Sequence, residues 1–116
     1  MLCKMTFEEY KQEGSKFWIA INDRKEVVGT IGALRVSDKE VKMNSLYVKK
    51  EYRKLGIAKK LYGLLIDFAR QQGYQQITLR TFFKFVNAIH FYEEMGFEKY
   101  EQDEESYFYR KQLLKK

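Results

Sequence analysis

Residues Leu46 to Gln72, LYVKKEYRKLGIAKKLYGLLIDFARQQ, constrain the fold more than any other stretch. They begin as a strand, pass through a short basic loop and become the best helix in the chain. The join, Arg53-Lys54-Leu55-Gly56-Ile57-Ala58, lacks a polar cap: Tyr52, Arg53, Lys54 and Leu55 bring no Ser, Thr, Asp or Asn. The first amides of an α-helix have no partner inside the helix. Left free beside a glycine that lets the backbone come close to a ligand, and beside two cations, they make an anion site, most naturally for phosphate. The plainer alternative is that Gly56 is itself the cap.

The rest of the chain can be placed around this stretch. Upstream, Thr6–Gln12 reads as a short helix with Thr6 as N-cap. Lys16–Ile21, Glu26–Val36 and Glu40–Val48 read as strands joined by short turns, an antiparallel meander. Gly29 and Gly32 in the second strand predict a bend, a bulge or a close backbone neighbour. In the third strand, alternation puts Val41, Met43, Ser45 and Tyr47 on one face, and Lys42, Asn44, Leu46 and Val48 on the other. The helix runs from about Gly56 to Gln72, with Ile57, Leu61, Leu64, Leu65 and Phe68 as its apolar stripe and Gly73 as its C′ residue. Tyr74–Thr81 follows as a strand, predicted parallel to the third through a right-handed crossover. A second helix spans about Lys84 to Met95, with Phe85, Ala88, Ile89, Tyr92 and Met95 as its stripe. Phe97–Glu101 and Ser106–Gln112 are the last strands. This order predicts an α/β (α+β layered) domain, with helices flanking a mixed, mostly antiparallel, twisted sheet.

Composition narrows the function. A chain of 116 residues predicts one domain, residues 1–116, able to bury a core unaided. Cys3 is the only cysteine and His90 the only histidine, so neither a disulfide nor a common metal site is expected. The opening MLCKM lacks the apolar run of a signal peptide, and no membrane span is evident. A cytoplasmic setting is expected. The net charge of +6 is densest at Lys49, Lys50, Arg53, Lys54, Lys59 and Lys60, around the central loop. That clustering favours a local anion over nucleic acid as partner.

Taken together, Arg53-x-x-Gly56-x-Ala58 after a strand, the long helix, and then Asn87-x-x-x-x-Tyr92 with Gly96-Phe97 resemble the GNAT superfamily of acyl-CoA-dependent N-acetyltransferases. Leu46-Tyr47-Val48 and Glu51-Tyr52-Arg53 match its lead-in, and the match covers about residues 16–112. The resemblance implies acetyl-CoA as cosubstrate, no metal, and a small-molecule or peptide amine as acceptor. It places the pyrophosphate on the amides of Leu55, Gly56, Ile57, Ala58 and Lys59, with Arg53 and Lys54 nearby. The pantetheine arm would run along Leu46-Tyr47-Val48, in a gap left as the next strand splays away. A backbone N–H near Val48 would polarise the thioester carbonyl, Asn87 would orient the cofactor, and Tyr92 would serve as the catalytic acid.

Local readings compete with these roles. From periodicity alone Tyr92 is a core residue, and Asn87 a helix-start residue bonded to nearby backbone. His90 reads as an ordinary surface histidine. Two features depart from the family pattern. Lys42 stands where many relatives carry a glutamate base, with Glu40 two residues away. The region before the first strand is short: the chain is either a short-form member or lacks part of the acceptor-site wall, a piece that a second copy of the chain could supply. The alternative function is a non-catalytic acyl-CoA-binding or regulatory module.

Overall fold

The computed structural model describes residues 12–113, so the predicted Thr6–Gln12 helix, Cys3 and the last three residues fall essentially outside it. Three strands, β1 (Lys16–Ile21), β2 (Val27–Arg35) and β3 (Glu40–Val48), form the expected antiparallel meander. A 3-10 turn at Lys50–Tyr52 leads to α1 (Ile57–Gln71). Then come β4 (Gln76–Phe82), α2 (Val86–Glu94), β5 (Glu98–Gln102) and β6 (Ser106–Gln112). The six strands make one sheet in the order β1-β2-β3-β4-β6-β5. Only β3 and β4 are parallel, because α1 carries the chain across between them.

Side-chain chemistry fixes the short turns. The Asn22 side-chain oxygen accepts from the amides of Arg24 and Glu26, while Lys25 takes a positive φ of 64°. Ser37 Oγ does the same for Lys39 and Glu40 before β3. Gly73 ends α1 at a φ of 84°.

Both helices pack on one face of the sheet. Ile31, Ala33, Val41, Met43, Ile77 and Leu79 meet Leu61, Leu65 and Ala69 of α1 in a single core. The apolar stripe of α1 differs from the predicted one. Tyr62 and Ile66 are buried, whereas Leu64 is 48% exposed. The cause is α2, which lies beside α1: the Tyr62 ring meets Phe91 and Phe97, each at 6.1 Å. A helix walled by both a sheet and a neighbour buries a face turned away from the one its own spacing predicts. In α2 only Ile89 and Tyr92 are buried, and Phe85 precedes the helix as an exposed residue. Among the described residues, no helix is long and apolar enough to cross a membrane.

The predicted faces of β3 hold only for its first half. Ala33 pairs with Met43 and Gly32 with Asn44, but Thr30 pairs with Tyr47, so β3 carries one extra residue in between. That residue is accommodated at Ser45, which sits at φ 58°. Thr30 donates its hydroxyl hydrogen to the Ser45 carbonyl at 2.6 Å and so closes the bulge. Alternation therefore changes phase. Val41 and Met43 point to the helices before the bulge, and Val48 is buried after it. Tyr47 leaves the face that simple alternation assigns to it, and is 52% exposed.

Candidate active site

The two halves of the sheet are joined at only three residue pairs, Glu40–Gln76, Val41–Ile77 and Lys42–Thr78. Beyond them β3 and β4 diverge, and a slot opens between Met43–Val48 and Leu79–Phe82. β4 is held on its other side by β6 over its whole length, from Gln76–Gln112 to Phe82–Ser106. β3 is held by β2. Each lip is thus rigid, and the unpaired backbone lies between them.

Which β3 groups face the slot follows from the ladder. Lys49 donates its amide to the Val28 carbonyl, so Lys49 and Tyr47 turn their backbone groups toward β2. Leu46 and Val48 then turn theirs toward the slot, as the sequence reading placed them. Tyr47 was grouped with them, but its backbone is spent on the ladder with Thr30.

At the open end of the slot lies the loop before α1. Gly56 is the N-cap, with φ 84° and no side-chain cap bond. Lys54 is also left-handed, at φ 65°. Alternating such residues through a loop aims successive amides into one concavity. The first helical bond is donated by Lys60 to the Gly56 carbonyl. None of the amides from Lys54 to Lys59 is engaged by another backbone or side-chain group among the described residues. A Cβ on Gly56 would meet nothing within 4 Å. Gly56 is therefore the cap, and the cap leaves the donors available.

Arg53 braces this loop. Its Nε donates to the Val48 carbonyl at 2.8 Å, tying the loop to the last residue of β3. Arg53 is exposed, as is Lys54 next to it. Arg53 thus both supplies charge and sets the loop's position on the slot.

Tyr92 lies on α2 and packs toward β6. α2 lays it against Tyr109 of β6 at 6.4 Å and against Phe97 at 6.2 Å. Tyr109 is the partner of Leu79 at the start of the open part of β4. Tyr92 is 8% exposed, and burial pushes its phenol up to about 12. Its hydroxyl has no hydrogen-bond partner among the described residues, although buried phenols normally find one. Tyr109, by contrast, donates to Glu93 at 2.8 Å. Asn87 is exposed in the first turn of α2 and does not make the local backbone bond of its alternative reading. His90 is exposed, as expected.

The carboxylates of β3 lie elsewhere. Glu40 accepts from the Thr78 hydroxyl at 2.8 Å, in the paired part of the sheet. Leu46 lies six residues further on, roughly 20 Å along an extended strand. Lys42 is half-buried at the last rung and forms no ion pair among the described residues. The bulge at Ser45 and its closure by Thr30 escaped the sequence reading. The signal was partial: the bend, bulge or close neighbour expected at Gly29 and Gly32 falls on the strand facing the register shift, while the extra residue lies in β3 beside the polar pair Asn44-Ser45.

A family model described as "Acetyltransferase (GNAT) family" matches residues 3–97. The chain belongs to the GNAT family. Among curated relatives, N-acetyltransferase 8 of Homo sapiens is 41% identical over 93 residues, 76% of this chain and 40% of that protein. The chain thus spans about 40% of the length of such relatives. A GNAT acetyltransferase structure from Staphylococcus aureus superposes with a TM-score of 0.87 and 32% identity, covering 94% of this chain and 74% of that one. An aminoglycoside 6'-N-acetyltransferase complexed with coenzyme A shares the fold, with a TM-score of 0.79 and 18% identity, over 96% of this chain and 79% of that one.

Proposed function

We propose that the protein transfers an acetyl group from acetyl-CoA directly to a primary amine. The observation that carries this reading is the slot between β3 and β4, with a run of unengaged amides at its open end. A pyrophosphate on the amides of Leu55 to Lys59 would be met by Arg53 and Lys54. The pantetheine arm would then pair with the Leu46 and Val48 backbone groups, as a short strand does. A neutral amine attacks the thioester carbon, forming the C–N bond as the C–S bond breaks. The ammonium proton leaves to solvent, and the coenzyme leaves as a thiolate.

Tyr92 is the group we assign to meet that thiolate, because its buried hydroxyl has no hydrogen-bond partner among the described residues. With its phenol at about 12 it stays protonated at neutral pH. A thiol's ordinary value is about 8.5, so complete transfer of the phenol proton runs uphill. Tyr92 therefore acts mainly by donating a hydrogen bond to the developing sulfur charge. No β3 carboxylate is close enough to serve as base, so the amine arrives neutral or loses its proton through water.

Titrating the protein with acetyl-CoA in a thermal-shift assay tests the donor, and release of free thiol over an amine panel tests the transfer. Tyr92→Phe should slow turnover about tenfold or more with little change in acetyl-CoA affinity. Unchanged turnover would return Tyr92 to the core. Lys42, a cation where relatives carry a base, favours a second reading as a non-catalytic acyl-CoA-binding module. Acetyl-CoA binding without thiol release from any amine would establish that reading.

A further inference from the structure

Tyr47 and Phe82 flank the mouth of the slot at the same level. The last rung joins Lys42 to Thr78. Phe82 lies four residues beyond Thr78, and the same count on β3 reaches Leu46. The extra residue of the bulge moves that level on to Tyr47. Alternation puts Thr78, Arg80 and Phe82 on the face away from the helices, and the bulge brings Tyr47 onto that same face. The helices cover the other face, so an acceptor reaches the slot between these two rings. Both are open to solvent, Tyr47 at 52% and Phe82 at 37%.

The Phe82 ring is held in place. The Arg80 guanidinium lies over it at 5.2 Å, and Phe85 meets it edge-on at 5.7 Å. Arg80 is anchored in turn by Ser106 Oγ at 2.9 Å, and by Asp103 and Glu105 at 3.4 and 3.5 Å. Ser106 is completely buried. A ring fixed this way loses little freedom when a ligand packs on it.

The charged groups on this face are largely engaged with one another. Glu40 accepts from Thr78, and Asp103 and Glu105 face Arg80. Lys42 stands at the base of the slot, with no ion-pair partner among the described residues. The two rings remain open for a ligand's apolar group.

We propose that the acceptor is a small primary amine carrying an aromatic or branched apolar group, seated between Tyr47 and Phe82. The proposal rests on the acetyltransferase reading above. The test compares 2-phenylethylamine with spermidine by thiol release, alongside calorimetry with acetyl-CoA. The wild type should prefer 2-phenylethylamine in kcat/KM by about tenfold or more. Phe82→Ala should raise KM for 2-phenylethylamine about tenfold with acetyl-CoA affinity unchanged, and Phe82→Leu should restore much of the loss. Equal or better use of spermidine, or a preference that survives Phe82→Ala, would overturn the proposal. So would acetyl-CoA binding without acetylation of 2-phenylethylamine. Failure to bind acetyl-CoA at all would instead defeat the parent reading.

Discussion

Arg53 shows how one side chain can carry two duties that a sequence pattern records as one. Its position in Arg53-x-x-Gly56-x-Ala58 announces a cation beside an anion site. Only the structure shows its Nε bound to the Val48 carbonyl. The two duties separate on substitution. Arg53→Lys keeps the charge but loses the planar fork, and should weaken acetyl-CoA binding about tenfold, the worth of one charge-assisted hydrogen bond. Arg53→Glu should weaken it further, and calorimetry distinguishes the two. Wild-type affinity in the lysine variant would leave the brace without a role. At the same scale, burial pushes Tyr62 and Tyr92 up to about 12, and Tyr109 likewise, with its bond to Glu93 adding to the effect. Unfolded tyrosines ionise near 10. The native state thus holds these protons more tightly than the unfolded chain does. Their contribution is whole below pH 10 and is lost as the pH rises toward about 12. Urea midpoints should fall across that window, with tyrosinate absorbance rising late for this subset.

At the scale of elements, Gly29 links the sheet to the start of α1. A Cβ there would lie 3.2 Å from the Tyr47 carbonyl oxygen, and 3.3 Å from Ile57 Cγ2 and from Leu61 Cδ1. Ile57 opens α1, so Gly29→Ala should push the first turn of the helix off β2. The expected cost is about 1–3 kcal/mol of stability, read from a denaturant midpoint. Acetyl-CoA affinity should fall with it, since the amide cradle moves. That Gly29 marks a bend, a bulge or a close neighbour was legible in the sequence, though not which of the three, and so were β1, β3, β6 and the parallel crossing to β4. Local alternation and turn chemistry determine those features. Two features were not legible, for one physical reason. The buried face of α1 depends on Phe91 and Phe97, some thirty residues away. The phase change in β3 depends on Thr30 reaching across to Ser45. Neither partner lies within the window over which periodicity is read.

At the scale of the whole molecule, three residue pairs hold the parallel junction of the sheet. The Lys39 carbonyl strengthens its closed end by accepting from the amides of Gln75 and Gln76. Below that junction the sheet is continuous; above it, among the described residues, the ties run through the helices. Amide exchange should therefore be slow at Val41 and Ile77, and faster at the slot-facing amides of Leu46 and Val48. Acetyl-CoA should slow exchange at those two amides while leaving β1 and β5 unchanged. Equal protection along all of β3 in the free protein would contradict this picture. The same geometry makes the domain a clothes peg whose pivot is three rungs wide. A ligand that fills the jaws would stand in for the missing rungs and cross-link two half-sheets that are otherwise sprung apart. The cosubstrate would then be, while bound, the seventh strand of the fold.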